Sequence, residues 1–296
     1  MSGKKIGGAG LRGQSAGETS ICTVGVSGSG LTYRGYDIVD LAENTSFEEV
    51  AYLLLHDKLP NSQELKDYIE KLKSLRGLQP ELRSTLEGVP KTAHPMDVLR
   101  TGCSVLGNLE QEEGFLNQSD HADRMLSVFP SILSYWYQFS HNGKRIDTET
   151  NDDTIGGHFL HLLHGKKPSQ LHDQVMSISL ILYAEHEFNA STFAARVCAS
   201  TLSDIHSAVT SAIGTLRGPL HGGANEAASA MLSQWNDPDI AETELLNMLA
   251  QKQLVMGFGH AVYTESDPRN EVIRQWSKKL SIEVNDKHLY LSLIHI

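Results

Sequence analysis

Ser46-Phe47-Glu48-Glu49-Val50-Ala51-Tyr52-Leu53-Leu54-Leu55-His56-Asp57-Lys58-Leu59-Pro60 is the stretch whose reading decides the fold class of this chain. Ser46 with Glu49 three residues on is a capping box, in which each side chain serves the other's backbone N–H. Val50, Leu53, Leu54 and Leu55 then follow at helical spacing, and the helix must end before Pro60. The same grammar repeats outward. Asn61 caps a helix carrying Leu65, Tyr68, Ile69 and Leu72 up to Gly77, and Met96-Asp97-Val98-Leu99 opens another that runs through Val105 and Leu106. Residues 107–120 are polar and expected to be a loop. Ala122 to Phe139 is a long apolar helix with a kink or break at Pro130, and Gly156 to Gly165 is a short one. Residues 170–185 and 191–216 are expected as two strong helices. The second is rich in Ala, Ser and Thr, which lets a neighbour approach closely. Further helices are expected over 224–235, 239–251 and 267–280. Ahead of them lies a loose lead-in over residues 1–20. A short hairpin follows from Ile21 to Tyr36, turning at Ser27-Gly28-Ser29-Gly30. No βαβ alternation occurs, so the class is all-α.

The 296 residues suffice for one large or two moderate domains. A net charge of -11 argues against a nucleic-acid surface. No apolar run reaches the roughly 20 residues of a membrane span and no signal-peptide core stands at the start, so the cytoplasm is the expected location. Cys22, Cys103 and Cys198 are few and far apart, which signals neither a disulfide framework nor a zinc site. His158, His161 and His164 share a helical stretch. Two apolar residues separate each pair and no carboxylate joins them, so a structural helix is expected there rather than a metal site.

Three histidines stand in loop-and-helix contexts that aim a ring at a ligand: His186, His221 and His260. A histidine on an apolar face is most often a hydrogen-bonded core residue, and that reading stays open for each. His221 and His260 lie among glycines, where a backbone can approach a ligand closely, and beside expected helix starts, which favour a neutral imidazole or a bound anion. Arg269, in Asp267-Pro268-Arg269, offers a bidentate partner for a carboxylate, although a solvated arginine at a helix start fits the local pattern too. Two neutral histidines and an arginine suit carbon–carbon bond formation, one imidazole stabilising an enol and the other polarising a ketone. A carboxylate base would complete the set, and spacing does not identify one.

Gly218-Pro219-Leu220-His221-Gly222-Gly223-Ala224-Asn225-Glu226 and Gly257-Phe258-Gly259-His260-Ala261-Val262-Tyr263, followed by Asp267-Pro268-Arg269, resemble the signatures of the citrate synthase family. Tyr33-Arg34-Gly35-Tyr36, His94-Pro95-Met96-Asp97 and Glu185-His186-Glu187-Phe188-Asn189-Ala190-Ser191-Thr192 agree, in the right order. The stretch from Tyr135 to Gly165 resembles the 2-methylcitrate synthase branch of that family. The resemblance implies an all-α homodimer, with residues 1–222 forming a large helical domain and 223–296 a smaller one. It implies condensation of propionyl-CoA with oxaloacetate and water to 2-methylcitrate and CoA, with acetyl-CoA and citrate as the alternative. No tightly bound cofactor and no metal are implied. By the same resemblance His221 bonds the thioester carbonyl as it becomes an enol. His260 polarises the oxaloacetate ketone, while His186 and Arg269 bind oxaloacetate. Leu254, Val255, Met256, Gly257 and Phe258 contact coenzyme A.

The family pattern continues past Ile296 with an aspartate base and two substrate arginines, so the chain is expected to be C-terminally truncated and inactive alone. Leu291 to Ile296 departs from the pattern. A non-catalytic helical scaffold is the reading from another class, and the retained His186, His221, His260 and Arg269 argue against it.

Overall fold

The computed structural model describes residues 17–25, 30–235, 237–257, 263 and 265–285, with backbone only at Phe115 and Pro238. Three short antiparallel strands pair in chain order: β1 (Cys22–Val24), β2 (Leu31–Tyr33) and β3 (Tyr36–Asp37). The expected hairpin is therefore present, while Ser27, Gly28 and Ser29 of its turn lie outside the described residues. The third strand is an addition. Arg34 and Gly35 both have positive φ, 48° and 87°, which is the conformation a two-residue hairpin turn needs.

Helices make up the rest. The first four are α1 (Ile38–Asn44), α2 (Phe47–His56), α3 (Ser62–Ser74) and α4 (Pro80–Glu87). Then come α5 (Pro95–Leu109), α6 (Gln118–Asn142), α7 (Ile155–His164) and α8 (Gln170–Tyr183). The chain continues with α9 (Ala190–Ala199), α10 (Ile205–Leu216), α11 (Gly223–Leu232), α12 (Pro238–Ala250) and α13 (Pro268–Glu283). The capping box forms as read: Ser46 Oγ accepts from Glu49 N at 3.2 Å and Glu49 accepts from Ser46 N at 2.7 Å. Asn61 and Glu64 make a second one at α3.

Three expectations change. Residues 191–216 are two helices, because Leu202 takes a left-handed φ of 61° and Asp204 caps a new start by accepting from Ser207 N. Only the second of the two, α10, has buried residues. The stretch 107–120 is less open than expected: α5 reaches Leu109, a single 3-10 turn covers Gly114–Asn117, and α6 begins at Gln118. Pro130 sits inside an uninterrupted α6.

Two apolar centres organise these elements. The first joins Leu31 and Tyr33 of the sheet with Leu53, Leu72, Ile155, Ile181 and, from near the C-terminal end, Val272. The second joins Leu82, Leu106, Val128, Ile132 and Ile213, from α4, α5, α6 and α10. The loop carrying His186 leaves α8, which belongs to the first centre. The loop carrying His221 leaves α10, which belongs to the second.

A polar group is buried between the centres at the start of α7. His158 is fully buried, with Ser131 Oγ 3.1 Å from Nε2 and Thr150 Oγ1 3.0 Å from Nδ1. His161 instead pairs with Asp152 at 2.7 Å. Burial, aided by the charge of Arg76, lowers the His158 pKa from 6.5 to about 3. Between those values the unfolded chain binds the proton and the folded one does not, so stability is complete above pH 6.5 and falls as the medium is acidified. His158 alone should cost about 2 kcal/mol of unfolding free energy on going from pH 7 to pH 5, at about 1.4 kcal/mol per pH unit below 6.5. Urea unfolding of the chain and of His158→Gln at both pH values checks this, the variant showing the smaller pH dependence.

Candidate active site

His221 follows α10 in a loop too tight for side chains. A Cβ on Gly223 would stand 2.7 Å from the carbonyl oxygen of Arg217, so glycine is required there. Four side-chain bonds stitch this loop to the elements around it. Arg217 Nε donates to Asp97 at 3.1 Å, Asn225 donates to Tyr183 Oη at 2.7 Å, and Glu226 meets His94 Nε2 at 2.8 Å. The fourth is at His221 itself, whose Nε2 lies 3.3 Å from Ser191 N and 2.9 Å from Ser191 Oγ.

The two contacts draw on different ring states: Ser191 N–H can only donate to a bare Nε2, whereas Ser191 Oγ, which gives its own proton to Asn189 Oδ1 at 2.7 Å, can only accept from Nε2–H. Burial lowers the pKa of His221. Ser191 is also the second residue of α9, where the positive end of the helix dipole opposes a second positive charge. Both effects favour the neutral imidazole.

His186 sits five residues before Ser191, in the same connection between α8 and α9. Two side chains fix its backbone to the N-terminal sheet. Tyr33 Oη accepts from Glu185 N at 3.3 Å and donates to Ile181 O at 3.0 Å. Glu187, with a left-handed φ of 52°, accepts from Val24 N at 3.1 Å. The His186 ring packs edge-on against Tyr263, and its Nε2 lies 3.1 Å from Tyr263 Oη.

The guanidinium of Arg269 lies 6.0 Å from the centre of the same Tyr263 ring. Asp267, the N-cap of α13, holds two of its N–H groups, Nε at 2.9 Å and Nη2 at 2.6 Å. Burial works against the charged form of Arg269, but the Asp267 carboxylate more than offsets it and the pKa is raised. Burial also pushes the Tyr263 phenol up to about 12, so it keeps its proton throughout the neutral range.

His186 and Arg269 are therefore brought together through Tyr263, and His221 is tied to the His186 loop through Ser191. The segment Leu254-Val255-Met256-Gly257 is an irregular turn in which Leu254 is exposed and Gly257 takes a φ of 90°. His260 and Phe258 lie outside the described residues. Reading histidines and arginine alone passes over Ser191 and Tyr263. Asn189-Ala190-Ser191-Thr192 has the form of a helix cap, and a ring aimed at such a start is the signal that would have found Ser191. Tyr263 carries no local signal for its bond to His186, which lies 77 residues before it, or for its ring contact with Arg269, 6 residues after it.

The arrangement ties His221 through Ser191 to the helix that follows the His186 loop and sets His186 and Arg269 against one tyrosine, with no helix among the described residues long and apolar enough to cross a membrane. The family described as citrate synthase, C-terminal domain, matches residues 10–296. A 2-methylcitrate synthase of Shewanella oneidensis is 65% identical over 287 residues, covering 97% of this chain and 76% of that protein. Citrate synthase 2 of Bacillus subtilis is 40% identical over 269 residues, covering 90% of this chain and 72% of that protein. The solved ternary complex of citrate synthase from Thermoplasma acidophilum with carboxymethyl coenzyme A and oxaloacetate superposes with a TM-score of 0.89. Its sequence identity is 30%, over 96% of this chain and 76% of that one.

Proposed function

The chain belongs to the citrate synthase family, and from that premise we propose that it is a 2-methylcitrate synthase. The reaction is an acyl transfer that makes a carbon–carbon bond: propionyl-CoA, oxaloacetate and water become 2-methylcitrate and free CoA. The observation that carries the acyl preference is the 65% identity to the Shewanella oneidensis enzyme. Relatives near 40% include both 2-methylcitrate synthases and citrate synthases, so they do not discriminate.

In this reading His221 donates a ring N–H to the thioester carbonyl oxygen as the α-proton leaves, so the developing charge is carried as an enol. The depressed pKa supports that role, because a neutral imidazole stabilises the enol by a hydrogen bond without giving up a full proton. His186 and Arg269 bind oxaloacetate. Asp267 occupies the Nε edge of the guanidinium, which leaves the Nη side to meet a substrate carboxylate. The assignments of His260 to the ketone, and of Leu254 to Phe258 to coenzyme A, rest on the sequence motif. A homodimer belongs to the same proposal, as does a division near residue 222. The division is supported by α11, which buries only Ala228 and Met231, and by the exposed Ile240, Leu246 and Leu249 of α12. Val272 of α13 ties this part back to the first apolar centre.

One methylene separates the two acyl substrates and is worth about 1–3 kcal/mol in a hydrophobic pocket, so both should turn over. The test is release of free thiol from propionyl-CoA and from acetyl-CoA in the presence of oxaloacetate, with the protein as isolated from its source. The expected result is a kcat/KM about ten-fold or more higher for propionyl-CoA. A ratio reversed in favour of acetyl-CoA makes the protein a citrate synthase.

A further inference from the structure

We propose that Tyr263 is a positioning residue of the ketoacid site, whose phenol fixes the His186 ring and whose ring face sets the Arg269 guanidinium. This deepens the functional reading above and rests on it. Three observations carry it. Tyr263 is 7% exposed, so its ring is held by packing rather than by solvent. Its hydroxyl is 3.1 Å from His186 Nε2, with the two rings edge-to-face at a centroid distance of 5.6 Å. Its ring stands 6.0 Å from the Arg269 guanidinium carbon, the outer range of a cation–π contact.

The pieces it connects lie far apart in the sequence, one between α8 and α9 and the other at the start of α13. The backbone around His186 is fixed by the N-terminal sheet through Tyr33 and Glu187, but neither of those side chains touches the imidazole in the bonds they make. Arg269 is fixed by Asp267 at the start of α13. The His186 ring is bonded to Tyr263 at Nε2, and the same tyrosine faces the arginine. A protonated phenol can donate to Nε2 of a neutral imidazole or accept from Nε2–H, so it holds the ring in either tautomer. Two groups that must grip one small dianion are thereby kept at a fixed separation, which lowers the ordering cost of binding.

The test is a double-mutant cycle on oxaloacetate binding, measured by calorimetry with the full chain. Tyr263→Phe keeps the ring beside Arg269 and removes only the hydroxyl. It should weaken oxaloacetate about three- to ten-fold, the range for a single hydrogen bond, with no change in the apparent KM for propionyl-CoA. His186→Asn should weaken binding further, and adding Tyr263→Phe to it should then have no effect, since the hydroxyl acts through the imidazole. Equal losses from Tyr263→Phe in both backgrounds overturn the inference, as does an unchanged affinity in Tyr263→Phe while His186→Asn is impaired. If His186→Asn itself binds oxaloacetate normally, it is the underlying assignment of the ketoacid site that fails, and the inference falls with it. Coincident thermal unfolding of the chain and Tyr263→Phe excludes a general loss of structure, and a joint fall in stability and in both substrate affinities overturns the positioning role.

Discussion

Replacing His221 by Gln lowers kcat with propionyl-CoA by about 10²–10³-fold, the loss found when one pre-aligned donor to a developing oxyanion is removed. The size follows from preorganisation. The His221 ring is held against Ser191 in the first turn of α9, and burial favours its neutral form. The donor is in place before the reaction, so no reorganisation is required as the carbonyl gains charge. Oxaloacetate binding in His221→Gln should stay near that of the parent, since His221 is assigned to the acyl substrate. Rapid-quench turnover and calorimetry with oxaloacetate check the two halves separately. A variant that loses both in parallel would mean that the 217–226 loop itself has collapsed. The loop is tied at four points to α5, α8 and α9, so thermal unfolding of the variant serves as the control.

The second large effect is at Arg269. Arg269→Leu should weaken oxaloacetate by about 10²-fold or more, on the basis of about 1.5–3 kcal/mol for each charge-assisted hydrogen bond lost. The same change removes the guanidinium charge that balances the Asp267 carboxylate, which is 26% exposed and keeps its bond from the backbone N–H of position 269. A carboxylate whose charge is no longer balanced repels an incoming dianion, which adds to the loss. Arg269→Lys keeps the charge but cannot grip Asp267 with two parallel bonds while also reaching a ligand, so it should fall between the two. Calorimetric affinities ordered Arg, Lys, Leu support the assignment, and equal affinities across the three would remove it.

How much of this was legible beforehand divides along the range of the interactions involved. Caps are local: Ser46 with Glu49 is present as its spacing predicts, and so is the Asn61 cap, to which the structure adds Glu64. The break between α9 and α10 was also local, yet alanines, serines and threonines on both sides kept the helical pattern running and hid Asp204 as a second cap. Pro130 is the reverse case. Its ring would be expected to interrupt α6, but Val128 and Ile132 on either side are fully buried, and the packing keeps the helix whole. At the site, His186, His221 and Arg269 were visible as residue types in glycine-rich or capping contexts. The groups that set their orientations were not. Ser191 acts across 30 residues and Tyr263 across 77, and neither separation leaves a periodicity to read. His260 was visible in the sequence and lies outside the described residues.

The bond from Val24 N to Glu187 makes a three-residue strand the far end of a binding loop. The left-handed backbone at Glu187 is held in part by that strand, and the strand in turn has one of its amides capped by the loop. Opening either one exposes the other, so the two should open together as a single cooperative unit. Deuterium uptake at the Val24 amide then becomes a gauge of order around His186. Oxaloacetate that settles the loop will slow exchange at a residue far from it in sequence, and shortening or tagging the N-terminal segment near Cys22 will be felt first as weaker retention of the ketoacid.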